Sequence, residues 1–324
     1  MLTSEIWNPR LVVPFLWENG SVLVRGFKRR LRDGKPFAFS FNVADRCPIG
    51  CDCYWRAQAR VKELTDEEVM DFFVEKRAEG YVHVSLIGGE PYVRPALLQK
   101  IAGVIPFGWL VTSGTTPLRH LRHTTQIISI DGATAETHDR VRKSRGLHDR
   151  IVKNLRRARE EGIGPIFLHT VLNHLNYREI SGILDGWSES GLARGVLIST
   201  MTPIKGAGDD GMCLLREERV WIVEELHRLR LTLGNFMVIT DEMIDRLHPD
   251  HTKLLTPEVC STAQFIESYD AAGKRIKQCI LSEKADCSEC GCVVTTMSES
   301  PTKNPRREID EMVRYFARMT SIAS

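Results

Sequence analysis

The stretch Phe37–Cys53, FAFSFNVADRCPIGCDC, decides the fold class because it joins an apolar run to a tight group of cysteines. Its first part, Phe37–Val43, is apolar and predicts a buried β-strand. The loop that follows carries Cys47, Cys51 and Cys53. In α/β barrels, functional sites are built on the loops at the carboxyl ends of the strands. Three thiolates this close in sequence can hold one metal centre, and in a cubane cluster they leave one iron without a protein ligand.

The cysteine triplet alone leaves other interpretations open. A zinc loop that lacks its fourth ligand has the same appearance, and so do reduced cysteines buried in a core. The whole chain has nine cysteines in 324 residues, which also raises the question of a disulfide scaffold. Such scaffolds suit short secreted chains, and nothing in this sequence indicates export. We therefore expect tight cysteine groups in a cytoplasmic protein to bind metal.

Outward from this stretch, apolar β-branched runs alternate with charged segments of helical period from about residue 37 to residue 200. This alternation predicts βα units around a parallel sheet. The six predicted strands are Phe37–Val43, Val82–Ile87, Trp109–Thr112, Gln126–Ile130, Pro165–Leu172 and Gly195–Thr200. Helices are predicted from the capping box at Thr65–Glu68, from Pro95, and at Leu147–Glu161, Tyr177–Ser190, Arg216–Leu231 and Arg306–Met319.

The second predicted strand ends in Gly88-Gly89-Glu90-Pro91. Two glycines at a strand end let the backbone approach a ligand closely, and the glutamate supplies an anionic acceptor for an ammonium group or a ribose hydroxyl. Taken alone, these four residues are also compatible with a simple tight turn.

A cysteine loop after the first strand, followed about 40 residues later by GGEP after the second, resembles the radical S-adenosylmethionine (SAM) enzyme family. The resemblance implies an α/β fold, a partial (β/α)6 barrel. It implies that Cys47, Cys51 and Cys53 hold a catalytic [4Fe–4S] cluster whose fourth iron chelates SAM. It also implies that the segment Gly88–Pro91 contacts the methionyl amine of SAM.

Further segments follow in the order expected for the same family. Ser113 lies in the turn after the third strand, and Ser129 and Asp131 resemble a segment that meets the ribose and methionyl groups. Arg142 resembles an arginine that pairs with the SAM carboxylate, for which a guanidinium fork is suited. The alternative for Arg142 is a solvated residue at the start of a helix. One departure from the family is the cysteine spacing, because Cys51 and Cys53 are separated by a single residue.

A second cysteine group lies near the carboxyl end of the chain, around a predicted hairpin turn at Asp270–Gly273. It resembles the SPASM or twitch extensions of radical SAM enzymes, which implies an auxiliary [4Fe–4S] cluster. A structural zinc site is the alternative, since four cysteines suit either metal. The group consists of Cys260, Cys279, Cys287, Cys290 and Cys292.

Charge and hydropathy set further expectations. The net charge of +2 gives no global attraction to nucleic acid, so no nucleic-acid partner is expected. The apolar run Leu11–Trp17 is too short for a membrane span. Val24, Phe27 and Leu31 form an apolar stripe in a basic segment. This pattern predicts either a helix packed on the barrel or a membrane-peripheral helix that contacts anionic lipid.

Three regions are predicted: an N-terminal basic amphipathic segment (1–36), a radical SAM partial barrel (37–235) and a small cysteine-rich metal-binding extension (236–324). The resemblance implies reductive cleavage of SAM to a 5′-deoxyadenosyl radical, which abstracts hydrogen from a peptide or a small metabolite. It also implies an electron donor such as flavodoxin or ferredoxin. Alternatives are a lipid substrate and a catalytically inactive metal-binding protein. The sequence does not identify the substrate.

Overall fold

The computed structural model describes residues 9–51, 60–205 and 211–299. Its centre is an eight-stranded sheet in the order β6-β5-β4-β3-β2-β1-β7-β8. All neighbouring strands from β6 to β7 are parallel, and β8 pairs antiparallel with β7. Among the described residues the two edge strands do not pair with each other, so the barrel is partial. The strands are β1 (Ala38–Ala44), β2 (His83–Gly88), β3 (Phe107–Thr112), β4 (Thr124–Ser129), β5 (Ile166–Leu172), β6 (Val196–Thr200), β7 (Ile266–Tyr269) and β8 (Arg275–Ile276).

Helices connect these strands as the sequence predicts. Thr65 and Glu68 form the predicted capping box, and Pro95 begins the next helix. A 3-10 turn over Tyr177–Glu179 precedes the helix that begins at Ile180. The helices are α1 (Pro9–Leu31), α2 (Asp66–Glu79), α3 (Pro95–Ile101), α4 (Ala135–Arg142), α5 (Leu147–Glu160), α6 (Ile180–Ser190), α7 (Arg216–Leu233), α8 (Asp241–Arg246), α9 (Pro249–Thr252), α10 (Ser261–Phe265) and α11 (Val293–Ser298). The predicted helix Arg306–Met319 lies outside the described residues.

The core lies between the sheet and its helices. Phe39 and Phe41 of β1 are fully buried and pack edge-on against Phe73 of α2, with ring centroids 5.5 Å apart in both pairs. Because successive side chains of a strand point to opposite faces, Ser40 and Asn42 lie on the inner face of the sheet. The inner face is therefore more polar than the face under the helices.

The C-terminal region extends the same sheet. Strand β7 lies beside β1, and the Ser40 hydroxyl donates a 2.8 Å hydrogen bond to the Ser268 hydroxyl across the two strands. The predicted turn at Asp270–Gly273 joins β7 to β8, and Gly273 has a φ of +72° there. The amide of Leu64 also donates to the Ala271 carbonyl at 2.8 Å. The hairpin is thus part of the sheet, while the proposed boundary at residues 235 and 236 stays a prediction.

Helix α1 covers the amino ends of the strands. Phe15 packs against Phe107 at the start of β3, and the Arg29 guanidinium donates to the Tyr81 hydroxyl at 2.7 Å just before β2. The helix therefore packs on the barrel as predicted, but with the face that carries Phe15 and Val22, because the predicted stripe of Val24, Phe27 and Leu31 is exposed to solvent. No helix within the described part of the chain is both long and apolar enough to cross a membrane.

Candidate cofactor site

The cysteine loop leaves β1 at the carboxyl edge of the sheet and is anchored on its return by Glu63. The Glu63 carboxylate accepts from the Asp45 amide at 2.9 Å and lies 3.4 Å from the Arg46 guanidinium. Of the predicted cluster ligands, Cys51 is buried and Cys47 is partly buried. Cys53 lies outside the described residues.

The two glycines after β2 allow the next turn to pack directly on the start of the cysteine loop. The Gly89 amide donates to the Ala44 carbonyl, and the Glu90 amide donates to the Arg46 carbonyl, both at 2.8 Å. A Cβ on Gly88 would lie 2.6 Å from the Ala44 carbonyl oxygen, and Gly88 has a φ of +124°. A Cβ on Gly89 would overlap the Arg46 carbonyl. Only glycine fits at these positions, so the segment Gly88–Pro91 lies beside the cysteines as the sequence indicates.

The Glu90 carboxylate is the polar centre of this turn and is 1% exposed. One oxygen accepts from the Tyr92 amide at 3.0 Å and from the Thr112 hydroxyl at 2.7 Å. The other oxygen accepts from the Ser113 amide at 2.8 Å and from the Ser113 hydroxyl. Glu90 therefore links the turn after β2 to the turn after β3 and brings the predicted residues Glu90 and Ser113 together. Pro91 is buried and begins the 3-10 turn that follows.

Asp131 and Arg142 form a second polar pair at the end of β4. The Arg142 Nε lies 2.5 Å from an Asp131 carboxylate oxygen, and the Asp131 side chain is only 4% exposed. The Val171 amide donates to the other carboxylate oxygen at 2.8 Å, and the Asp131 amide donates to His138 Nδ1 at 3.0 Å. The structure thus brings Arg142 to Asp131, and the contact of Arg142 with a SAM carboxylate stays a prediction.

Helix α4, which carries Arg142, also contacts the cysteine loop. A Cβ added to Gly50 would lie 3.3 Å from the carbonyl oxygen of Lys143, which caps α4. Little room remains between the loop and the end of the helix. Because β1 to β4 are parallel neighbours, their carboxyl ends meet at one edge. Cys47, Glu90, Ser113 and Asp131 therefore lie together at that edge, each supplied by the segment after a different strand.

The inner face of the sheet adds residues that sequence reasoning missed. Ser129, a predicted site residue, is paired across the β4–β5 ladder with His169, so both lie on the same face. His169 Nε2 lies 2.9 Å from the Ser199 hydroxyl of β6. Burial lowers the pKa of His169 to about 4, so the imidazole is neutral at pH 7. The alternation of side chains within the predicted strand 165–172 could have indicated His169 as an inner-face residue. The sequence does not determine which side of that strand forms the inner face.

The second cysteine group is held against the end of β6. Gly291 packs on Thr200 with no room for a Cβ, and the Thr200 amide donates to the Gly291 carbonyl at 2.9 Å. The Val293 amide donates to the Ser199 hydroxyl at 3.0 Å. Buried Arg219 of α7 donates to the Glu289 carbonyl at 3.0 Å. Backbone contacts thus fix the loop Cys290–Cys292 at the carboxyl edge of the sheet.

The five thiols of this group influence one another. Burial, with a smaller contribution from the neighbouring Cys292, Cys290 and Cys260, raises the pKa of Cys279 to about 12. Burial and Cys290 likewise raise the pKa of Cys292 to about 11. None of the eight described cysteines forms a disulfide. Within residues 9–51, 60–205 and 211–299, no three Cys, His, Asp or Glu side chains converge closely enough to hold a metal ion.

Comparison with protein families gives a match over part of the chain. Residues 41–185 match the family model of the Radical SAM superfamily, so this part of the chain carries a Radical SAM domain. The AdoMet-dependent heme synthase of Methanosarcina barkeri is 30% identical over 159 residues, which cover 45% of each chain. The PqqA peptide cyclase of Rhizobium meliloti is 26% identical over 168 residues, or 46% of this chain and 43% of the cyclase. The chain thus matches less than half the length of these curated relatives.

Solved structures share the fold over most of the chain. Streptococcus suis SuiB bound to the precursor peptide SuiA matches 86% of this chain and 69% of SuiB, with a TM-score of 0.61 and 13% identity. The enzyme anSMEcpe with bound AdoMet matches 88% of this chain and 98% of its own, with a TM-score of 0.60 and 14% identity. At these identities the likeness concerns the fold, and it extends beyond the residues that match the family model.

The superfamily uses a [4Fe–4S] cluster and SAM, and the first site fits both by its donor chemistry. Cys47 and Cys51 supply thiols, the ligands of iron–sulfur clusters. Buried Asn42 lies on the inner face beside Gly88, and its Oδ1 accepts no hydrogen bond from the described residues. A buried acceptor of this kind suits a polar ligand. The second group fits a cluster by donor type alone, because its thiols do not converge as a ligand set.

Proposed function

We propose that this protein is a radical SAM enzyme that modifies a peptide, by reductive cleavage of SAM and abstraction of a substrate hydrogen atom. The observation that carries the proposal is the joining of the cysteine loop to the Gly88–Pro91 turn by two backbone hydrogen bonds, Gly89 to Ala44 and Glu90 to Arg46. This arrangement requires glycine at two successive positions and has no evident use in a metal-binding protein without SAM.

In this proposal, Cys47, Cys51 and Cys53 hold the catalytic cluster. When bound, the cluster and SAM together supply the radical that initiates the reaction, and the protein provides binding, orientation and exclusion of water. Glu90 is buried and its carboxylate accepts four hydrogen bonds within the protein, so in this proposal it attracts the methionyl ammonium through its charge, and Ser113 fixes the carboxylate in place. Gly88, Gly89 and Pro91 shape the turn that brings the backbone close.

Asp131 and Arg142 complete the proposed SAM site on the β4 side. Their ion pair holds the guanidinium, a group whose planar fork suits a carboxylate, at the end of α4 that contacts the cysteine loop. Ser129 lies two residues before Asp131, on the inner face of the sheet with His169. We propose that Ser129 contacts the ribose of SAM and that His169, held neutral by burial, borders the substrate.

The names of similar proteins support a peptide as the substrate. The matched curated relatives include PqqA peptide cyclases, and the SuiB structure contains a precursor peptide. We propose that Cys260, Cys279, Cys287, Cys290 and Cys292 form an auxiliary [4Fe–4S] site next to β6. A one-electron donor such as flavodoxin or ferredoxin would reduce the catalytic cluster in the cytoplasm. No step of the reaction depends here on the auxiliary site.

The decisive experiment is anaerobic purification followed by iron and sulfide analysis and an absorption spectrum. We expect iron with the broad absorption near roughly 400 nm that is typical of thiolate-ligated clusters. Addition of dithionite and SAM should then yield methionine and 5′-deoxyadenosine. A protein with a full iron content that forms no 5′-deoxyadenosine would contradict the enzyme proposal and favour a metal-binding protein.

The substrate class needs a separate measurement. Peptide, small-metabolite and lipid extracts should be added to the reduced enzyme, and the rate of 5′-deoxyadenosine formation compared. We expect the peptide extract to stimulate the reaction and protease treatment of that extract to abolish the stimulation. Stimulation by the metabolite or lipid extract alone would overturn the peptide assignment and leave the cleavage of SAM intact.

A further inference from the structure

Helix α1 has two apolar faces, and only one of them packs on the barrel. Phe15 and Val22 are buried against the sheet, and the Phe15 and Phe107 rings lie 5.1 Å apart. Gly26 marks a close approach, because a Cβ there would overlap Val82 Cγ1 and would lie 2.8 Å from the Gly80 carbonyl oxygen. These contacts fix the rotation of α1 about its axis, so its opposite face points away from the barrel.

That opposite face is a continuous apolar stripe exposed to solvent. At about 100° per residue, its members fall within an arc of roughly 100°. Trp17 is 92% exposed, Leu31 68% and Phe27 67%. The outer stripe of α1 consists of Val13, Leu16, Trp17, Val24, Phe27 and Leu31. Single exposed apolar residues are normal on a protein surface, but a contiguous stripe that includes Trp and Phe indicates an interaction surface.

The charges around the outer stripe are positive. Helix α1 carries five basic residues and one acidic residue, Glu18, which is paired with Arg122. Arg25 and Lys28 are exposed on the helix, and exposed Arg32 follows it directly. On the helical wheel these three lie along one border of the stripe. The surface therefore combines apolar side chains with a basic border.

We propose that α1 is an in-plane membrane-docking helix that binds an anionic phospholipid surface. Helices of this type lie in the interface with Trp, Phe and Leu inserted at the acyl boundary, while Lys and Arg contact the headgroups. The outer stripe supplies the inserted side chains, and Arg25, Lys28 and Arg32 supply the headgroup contacts. The helix does not span the bilayer, in agreement with its mixed composition.

Two other partners could cover the outer stripe: a second copy of the chain, or the segment Arg306–Met319 of the same chain. Charge complementarity favours a membrane over both. A second copy of the chain would bring the same basic border against itself, which repels. The segment Arg306–Met319 has four basic and three acidic residues, so it offers little net charge to the border. An anionic lipid surface matches both the apolar stripe and the basic border.

Docking through α1 would also orient the enzyme. The contacts of α1 with the barrel include Gly80, Phe107 and His123, which lie at the amino ends of strands. The candidate cofactor site lies at the carboxyl ends, on the opposite side of the sheet. A protein docked in this way presents the site to the aqueous phase, where a soluble peptide can reach it.

The test is flotation of the full chain with vesicles of phosphatidylcholine, with and without phosphatidylglycerol. We expect binding to the anionic vesicles that is at least about tenfold stronger than to the neutral ones and that falls with added salt. The double variant Trp17→Ser/Phe27→Ser should lose at least about tenfold of this binding. Leu231→Ser is the matched control, since Leu231 is 87% exposed on α7, away from the stripe.

The triple variant Arg25→Gln/Lys28→Gln/Arg32→Gln should remove the salt dependence while the apolar stripe remains. Absence of vesicle binding by the wild type would overturn the proposal. So would monomer–dimer association that Trp17→Ser abolishes, because a second copy would then cover the stripe. These measurements involve no SAM chemistry, so their outcome is separate from that of the proposed enzymatic function.

Discussion

The two cysteine groups lie at the same edge of one sheet but in different surroundings. The first follows β1 and is joined to the turns after β2 and β3, where Glu90 and Ser113 provide buried polar groups. The second follows β6, and its anchors are backbone contacts at Thr200 and Ser199 together with Arg219. The first has the buried Glu90 carboxylate and the Asp131–Arg142 ion pair beside it, whereas the buried ion pair near the second, Glu242–Arg246, is bonded through Arg246 to the Thr296 carbonyl of α11. Thiols alone therefore do not distinguish a catalytic centre from an auxiliary one, whereas neighbouring groups able to bind a second ligand do.

The largest expected effect comes from replacing Cys47, Cys51 and Cys53 together by Ala. The variant should lose about four irons and all reductive formation of 5′-deoxyadenosine, because it lacks all three proposed thiolate ligands of the catalytic cluster. Circular dichroism and thermal unfolding should show an intact fold. Cys213→Ala, outside both groups, is the control and should keep the iron and the activity. An unchanged iron content in the triple variant would end the assignment of the first site.

The reciprocal variant tests the second group and separates iron from zinc. Replacement of Cys279, Cys290 and Cys292 by Ala should remove about four irons and leave the first cluster able to cleave SAM. Metal analysis should show that this variant and the first-site triple variant each contain about four irons fewer than the wild type. If the first-site variant instead contains one zinc and no iron, the second group is a structural zinc site. The two cysteine groups would then bind different metals.

The next largest effects are expected from replacing the tightly packed glycines beside the two cysteine groups, and they should differ between the two groups. Gly89→Ala places a Cβ on the Arg46 carbonyl, so the turn must move and we expect a loss of about 3 kcal/mol in the free energy of unfolding together with weak SAM cleavage. Gly291→Ala crowds Thr200 and should lower the metal content of the second group while SAM binding is kept.

Gly186→Ala is the control for these glycine variants. Gly186 lies in α6 with no heavy atom within 4 Å of a built Cβ, and the substitution should stabilise the protein by about 0.5–1 kcal/mol. Urea unfolding curves measure all three variants. Equal stability of Gly89→Ala and the wild type would show that the turn after β2 is not tightly joined to the cysteine loop.

A smaller effect is expected for Glu90→Gln, which keeps the shape of the side chain. Each oxygen of Glu90 accepts two hydrogen bonds, so an amide nitrogen at either position faces donors. We expect SAM binding to weaken by about 1.5–3 kcal/mol, the range for hydrogen bonds that involve a charged group. Equilibrium titration measures the affinity, with Glu160→Gln on the exposed face of α5 as control. Unchanged affinity would mean that Glu90 acts only as a turn residue.

The sequence predicted the barrel well because its signals are local. All six strands and the capping box at Thr65 follow from alternation and cap chemistry within a few residues. The sequence did not predict that β7 joins the sheet beside β1, since this pairing links residues more than 220 positions apart. The interior position of His169 and the ion pair of Arg142 with Asp131 were likewise unpredictable, because both depend on how strands and helices face one another.

The smallest expected effect concerns pH and again distinguishes the two regions. Burial lowers the pKa of His138, which accepts from the Asp131 amide, to about 4, compared with 6.5 for an exposed histidine. Below pH 6.5 the unfolded chain binds a proton that the folded chain rejects, so stability falls by about 1.4 kcal/mol per pH unit until pH approaches 4. Above pH 6.5 the group is neutral in both states and contributes nothing. His138→Gln keeps an acceptor for the Asp131 amide and should therefore reduce the loss between pH 7.5 and pH 5.5 by about 1.4 kcal/mol in urea unfolding. Replacement of exposed His120 by Gln is the control for the substitution itself. A loss of stability in acid that His138→Gln leaves unchanged would contradict the burial of a neutral imidazole beside the first site.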